Sequence, residues 1–384
     1  MNKIYLIGEI VLDLLYKQNN KILNNEIENK QEYFLPIAGG SALNTTVALK
    51  YLGSDPIFFS EIGNDNAAKI VENFLKNKGI DTSYILKLNS IKTTISIALL
   101  NEFKEAKYDF YKSYYNKPFL LNNLKNVNLK EDDIFCFASF FSSDRRNKKI
   151  VNYILKKKRE KKIKIFFDPN IRLHHLNESR TKIIQSLKLI ISSDILRLSF
   201  EDLINLVYYI FKNLIFFYKR FYKFKLIKKI YGKLFKIYLK IKFMNFNIIN
   251  NFISSFVFDE TFLDYLIIYD FKKIRKYYKE QIIKSFFDLF KNLNEKLVVV
   301  TDGENDIFAF FNNNFIKYSI PTIEPISTIG AGDTFNASII SDYFKLKESI
   351  FIKNNDIKVE LERLINNAVK ISQKVCLSEF NYPV

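Results

Sequence analysis

Short apolar runs closed by a glycine or a polar cluster, each followed by residues at helical spacing, recur along the chain. Ile4–Ile7 is the first run; it ends at Gly8, and Glu9 to Leu15 alternates enough to continue the strand. The next helix carries Leu43, Val47, Leu49 and Leu52 and stops at Gly53. Ile57–Gly63 predicts a buried strand, and Ala67–Lys78 predicts a helix ended by Gly79. Residues 93–100 and 108–115 are rich in Thr and Tyr with partial alternation, the pattern of strands with one exposed face. Ile134–Ser139 predicts a core strand, 147–160 a very basic helix, and Ile163–Phe167 a further strand. Ile190–Leu198 and Leu297–Gly303 repeat the strand-to-helix pattern. From Thr334 to Phe344 the spacing puts Phe335, Ile339, Ile340 and Phe344 on one helical face. Strands alternating with helices predict an α/β fold with a mostly parallel sheet.

Polar residues that interrupt this pattern carry the candidate chemistry. Asp13 lies inside an apolar strand, where an acid must be paired, solvated or used. Gly39 and Gly40 precede a helix and let a ligand approach the backbone, and Asn44 follows in the first turn. A turn with a cap explains the same residues. Asp168-Pro169-Asn170-Ile171-Arg172 is a polar cluster at the end of a buried strand, where open α/β sheets place ligands. The most informative stretch runs from Pro325 to Ala337 and contains Gly330-Ala331-Gly332-Asp333. A glycine-rich turn opening a helix directs N–H groups and the positive end of the helix dipole outward, which suits phosphate. Asp333 would weaken simple phosphate binding, so its presence fits a base that takes a proton from an attacking hydroxyl. A glycine-rich turn with Asp333 as the N-cap is the plainer reading.

At 384 residues, the chain suits one large α/β domain with appendages, or two domains. Hydrophobic residues make up 48% and charged residues 26%, which excludes a disordered chain. Lys, Asn, Ile, Phe and Tyr share A/T-rich codons and dominate the composition. The net charge of +18 is therefore weak evidence for a nucleic-acid partner, and none is expected. Cys136 and Cys376 form no disulfide framework or metal spacing and suit a reducing cytosol, so a cytoplasmic location is expected. His174 and His175 lack the neighbours of a zinc site. The N-terminus reads as a buried first strand, not a signal peptide.

The order of these signatures resembles the ribokinase-like (PfkB) family of sugar kinases, and most of all its fructokinase and 2-keto-3-deoxygluconate kinase branch. The resemblance covers roughly residues 3–204 and 297–378. It is carried by Gly8-Glu9 with Asp13; Ala38-Gly39-Gly40-Ser41 with Asn44; Gly79-Ile80-Asp81-Thr82; Phe110-Tyr111-Lys112; Asp168 to Arg172; Leu198-Ser199 with Asp202; Val300-Thr301 with Gly303; and Gly330 to Phe335. It implies a three-layer αβα sandwich with a central, mostly parallel sheet. Strands near 10–35 and 93–115 would form a small β-lid, through which many relatives dimerise. It implies Asp333 as general base and Gly330, Ala331 and Gly332 as anion hole. Asp13, Gly39, Gly40, Asn44, Tyr111 and Lys112 would contact the sugar. Asn170, Arg172, Ser199, Thr301, Gly303 and Asn367 would contact ATP, and Asp202 would order Mg2+ through water.

Three departures shape the expectation. Lys112 replaces an Arg, losing the bidentate fork that suits a sugar acid. Asp202 stands where the family usually has Glu. Ser327 stands where the family often carries an Asp that helps hold a monovalent cation, which counts against potassium activation. Residues 205–296 replace a much shorter connection and hold 19 Lys/Arg against 7 Asp/Glu. Their centre, 218–243, interleaves Lys with aromatics. A basic amphipathic helix on an anionic membrane and a single-stranded nucleic-acid surface are weighed against a plain surface insertion, which is favoured. Its lysines exclude a transmembrane helix. The expectation is one kinase domain over 1–384 that phosphorylates fructose at a primary hydroxyl. A 2-keto-3-deoxygluconate kinase is the nearest rival, and a degenerate kinase fold kept for binding is the non-enzymatic one.

Overall fold

Strand β1 (Ile4–Ile7) is buried at every residue, as a continuous apolar run requires when both sheet faces are covered. The computed structural model describes residues 2–23, 26–100, 106–112, 121–171, 180–209, 265, 270–291 and 293–384. They group into two compact units, Met1–Pro169 with Ile320–Val384, and Asn170–Ser319.

In the first unit β1 lies between β4 (Ile57–Gly63) and β8 (Ile134–Ala138), parallel to both, with Leu6 opposite Phe58 and Cys136. β5 (Ile85–Leu88) pairs with β4, and β9 (Lys164–Asp168) pairs with β8, all parallel. Tyr5, Phe59 and Phe135 stack across three strands at 6.4–6.5 Å between ring centroids. Helices α1 (Ser41–Tyr51), α2 (Asn66–Asn77), α3 (Leu121–Lys125) and α4 (Lys148–Lys161) occupy the connections. The α2 N-cap is Asp65, which accepts from Ala68 N and from Thr93 N and Oγ1. A separate four-stranded sheet has the order β3-β2-β6-β7, built from β2 (Val11–Leu23), β3 (Glu26–Gly39), β6 (Thr94–Leu100) and β7 (Ala106–Tyr111).

In the second unit β10 (Ile195–Ser199) and β11 (Leu297–Thr301) run parallel, and β12 (Asp306–Phe311) and β13 (Asn314–Ser319) continue antiparallel. The last two join through Asn312 and Asn313, at φ of 46° and 61°, the left-handed pair that a two-residue hairpin demands. Helix α5 (Arg180–Ser192) precedes β10, and residues 200–209 are helical. Here the sequence reading is corrected: residues 190–192 close α5, and the strand begins only at Ile195. A short apolar run has no period that separates strand from helix, and Ile183, Leu187 and Ile190 continue the buried helical stripe. Helix α6 (Phe271–Asp288) is held to the β11–β12 turn by Lys279, whose Nζ lies 3.0 Å from both Asp302 and Asp306. The basic stretch 218–243, with its membrane and nucleic-acid readings, lies outside the described residues.

The chain ends, back in the first unit, with α7 (Ala331–Phe351) and α8 (Ile357–Cys376), which pack on each other. The sequence reading of α7 began at Thr334 and stopped at Phe344; the helix is longer at both ends. Among the described residues no helix is long and apolar enough to cross a membrane.

Lys296, 3% exposed, donates from Nζ to Ile190 O at 2.7 Å and Ser193 O at 2.6 Å, closing the C-terminal end of α5. Lys296→Met removes these charge-assisted bonds, leaving Ser193 Oγ as a remaining donor to Ile190 O, and costs roughly 2–4 kcal/mol. Urea denaturation should show a lower midpoint with an unchanged slope; an unchanged midpoint would contradict this role.

Candidate active site

Two chain segments of the first unit, far apart in sequence, meet at one carboxylate. Gly330 is the N-cap of α7, at φ +80°, and a Cβ there would stand 1.9 Å from Asn381 O, so only glycine fits. Asp333 is therefore not the cap: it is the third helical residue, half-buried, in the first turn. Ser41 Oγ donates to Asp333 Oδ1 at 2.6 Å, and Asn44 Nδ2 donates to Oδ2 at 2.8 Å. Thr45 Oγ1 lies 3.3 Å from the Asp333 carbonyl. These donors all come from the first turns of α1. Two charge-assisted bonds fix the carboxylate plane while leaving lone pairs able to take a proton. The N-terminal amides of α7 and its dipole provide positive potential at the same end.

Gly40 is the N-cap of α1, at φ +106°, where a Cβ would meet Glu9 O at 2.4 Å. Gly39 ends β3, and a Cβ there would lie 2.1 Å from Asp13 Oδ2. Asp13 is 7% exposed on β2, directly beside Ser96 of β6 in the parallel register, and Ser96 Oγ donates to its Oδ1. Burial pushes the Asp13 carboxyl up to about 6; the Ser96 hydrogen bond opposes the shift, and the charge of Asp333 adds to it. Asn44, 4% exposed, keeps a buried Oδ1 without a hydrogen-bond partner. Lys112, just past β7, forms an ion pair with Glu9 at 2.8 Å, and Thr94 Oγ1 donates to the other Glu9 oxygen at 3.0 Å. Tyr111 is 61% exposed.

The second unit gathers most of the residues expected at the nucleotide. Ser199 and Thr301 sit opposite each other at the C-terminal ends of β10 and β11, where parallel sheets present their ligands. Thr301 accepts from Arg197 at 2.8 Å. Gly303 has φ +59° with open space around it. Asn170 has φ +43°. The next amide, Ile171 N, donates to Asp202 Oδ1, and Ser199 donates to Oδ2 from both N and Oγ at 2.6 Å. Asp202 thus pins two loops, and its buried carboxylate faces protein donors on both oxygens. Among the described residues no three His, Cys, Asp or Glu side chains group to hold a metal. Asn367 lies exposed on α8 in the first unit, and Arg172 lies outside the described residues. Ser327 Oγ accepts from Ile329 N at 3.2 Å, so the hydroxyl closes a turn and supplies no charge for a cation.

Sequence reasoning assigned no role to Ser41, Ser96, Glu9 or Asn381. Ser41 was within reach, because it stands beside Gly40 in the same motif. Glu9 likewise stands in the Gly8-Glu9 signature, whereas Ser96 and Asn381 are defined only by strand register or chain return.

A model of the pfkB family carbohydrate kinase matches residues 1–207 and 189–378. The fructokinase of Vibrio alginolyticus is 21% identical over 205 residues, covering 53% of this chain and 62% of that protein. The aminoimidazole riboside kinase of Salmonella typhimurium is 23% identical over 175 residues, covering 45% and 50%. The chain thus spans under two thirds of the curated relatives it matches. Among solved structures, fructokinase from Vibrio cholerae O395 in its fructose-, ADP- and calcium-bound form superposes with a TM-score of 0.65 at 16% identity. That match covers 99% of this chain and 94% of the other, and shows a shared fold.

Asp13 makes stability depend on pH in an uncommon direction. Between its unfolded value near 4 and about 6, the folded chain keeps a proton that the unfolded chain has lost. The contribution of Asp13 therefore falls as pH rises through that window, by on the order of 2–3 kcal/mol. Asp13→Asn should flatten that part of the profile in denaturant titrations at pH 4 to 7. An unchanged slope would place the Asp13 carboxyl at an ordinary value.

Proposed function

The chain belongs to the pfkB family of carbohydrate kinases, and we propose that it transfers the γ-phosphoryl group of ATP to the primary hydroxyl of a small sugar, with fructose the leading substrate. One observation carries this reading: the Asp333 carboxylate stands in the first turn of α7, oriented from both sides by Ser41 and Asn44. A base at the mouth of an anion-binding turn is what attack by a neutral hydroxyl on a phosphate requires. Asp333 takes the hydroxyl proton as the oxygen bonds to phosphorus. The bond to the β,γ-bridging oxygen breaks, ADP leaves, and the proton passes from Asp333 to solvent. The amides of Gly330, Ala331 and Gly332 serve the charge spread over the migrating group. Mg2+ would neutralise the nucleotide's phosphates, and Asp202, whose two oxygens accept from Ile171 N and from Ser199 N and Oγ, would be the acid that orders it through water.

Asp13, Gly39, Gly40 and Asn44 form the sugar side. The four-stranded sheet is the lid that excludes water when it closes. Its exposed Tyr33, Phe34, Phe110 and Tyr111 suit a homodimer through the lid. The Lys112–Glu9 ion pair bears on the substrate: a lysine already neutralised by Glu9 offers a sugar carboxylate little. That favours a neutral ketose over 2-keto-3-deoxygluconate. The sugar bound in the Vibrio cholerae relative and the names of the curated fructokinases support the same choice.

ADP release should be followed with magnesium-ATP and, in turn, fructose, 2-keto-3-deoxygluconate, ribose, aminoimidazole riboside and adenosine. The expected result is turnover on fructose, with phosphorus NMR placing the phosphate on the primary hydroxyl. Turnover on 2-keto-3-deoxygluconate in preference to fructose would transfer the assignment to the acid. Glu9→Gln uncovers the Lys112 charge and should lower KM for the acid about threefold or more relative to fructose, as a part-buried pair of about 1 kcal/mol allows. An unchanged ratio of the two KM values would remove Lys112 from substrate discrimination.

A further inference from the structure

After α8 the last residues of the chain return to the catalytic turn. Tyr382 anchors them: it is buried, 5.1 Å from the Phe74 ring and 5.7 Å from Phe380, with Lys78 Nζ 4.6 Å over its face. The anchor sets Asn381, 2% exposed, against both glycines that shape the site. Its carbonyl oxygen occupies the space a Cβ of Gly330 would need, at 1.9 Å. Its Nδ2 lies 3.1 Å from where a Cβ of Gly39 would be, beside Asp13 Oδ2 at 2.1 Å from the same point. Nδ2 also donates to Ala38 O at a long 3.4 Å. Asn381 Oδ1 is buried without a hydrogen-bond partner, so the carboxamide carries a desolvation penalty that an apolar residue of its size would avoid.

From these contacts we propose that Asn381 is a positioning residue that sets the spacing between the sugar-facing end of β3 and the anion-binding turn of α7. Its side chain acts on Ala38 and Gly39, and its main chain acts on Gly330. The proposal rests on the kinase reading above. It divides one residue into two separable effects. Loss of the side chain loosens the sugar side alone. Loss of the main chain also releases Gly330, and with it the turn that carries Asp333.

Steady-state kinetics on the 384-residue chain test this with Asn381→Ala, Asn381→Asp and a chain ending at Phe380. Turnover of fructose or another sugar by the unaltered protein is the control for the kinase reading; its absence would overturn that reading. Given turnover, Asn381→Ala should raise KM for the sugar by about tenfold, the loss of one hydrogen bond and its packing, with kcat and the ATP KM within about twofold. Asn381→Asp fills the same space but cannot donate, and it sets a carboxylate beside Ala38 O and Asp13, so its sugar KM should exceed that of the alanine variant. The shortened chain should lose kcat by about tenfold or more as well. Equal loss of kcat and sugar KM in the alanine variant, or a milder effect of Asp than of Ala, would reduce Asn381 to a plug and overturn the proposal. The two point variants decide the matter even where the shortened chain does not fold.

Discussion

Two helix N-termini meet at one carboxylate, and the architecture of the first unit serves that meeting. Ser41 and Asn44, in the first turns of α1, hold Asp333, in the first turn of α7. Both helices direct positive potential toward the same place, so an anion fixed there is stabilised, as the proposed phosphoryl transfer requires. The approach depends on missing side chains: Gly8 lets α1 close on the end of β1, where a Cβ would stand 2.2 Å from that of Ala42. Gly40 and Gly330 supply the backbone conformations at which the two helices begin.

The site also has to keep two acids close without wasting either. Asp333 has donors on both oxygens, whereas Asp13 has Ser96 on one oxygen and is otherwise buried. Burial and the neighbouring charge raise the Asp13 carboxyl toward 6. Different environments suit two like groups to different tasks, in the proposed reaction one for proton transfer and one for substrate hydroxyls. Holding a buried acid costs stability near neutral pH, a cost that the proposed sugar contact would explain and packing does not.

The parts legible in the sequence were those whose meaning is local. The buried β1 run, the glycine turn before α7 and the acid inside β2 could be read because each rests on neighbours within a few residues. Period failed where it carries no information: residues 190–192 end a helix, though they read as strand. The hairpin at Asn312 and Asn313 carried a turn signal that passed unread. Partnerships were out of reach, because Ser41 finds Asp333 across 292 positions and Ser96 meets Asp13 only through the register of two parallel strands. The plainer reading of Asp333 as an N-cap gave way because Gly330, in the left-handed region, starts the helix earlier.

The most direct measurement of the central claim is single-turnover phosphoryl transfer by Asp333→Asn, beside nucleotide binding measured by calorimetry. The substitution keeps the shape and removes the proton acceptor. Transfer should fall by about two to four orders of magnitude while ATP binds within a few-fold of the unaltered protein. Transfer at an undiminished rate would show that the carboxylate held by Ser41 and Asn44 is not the base.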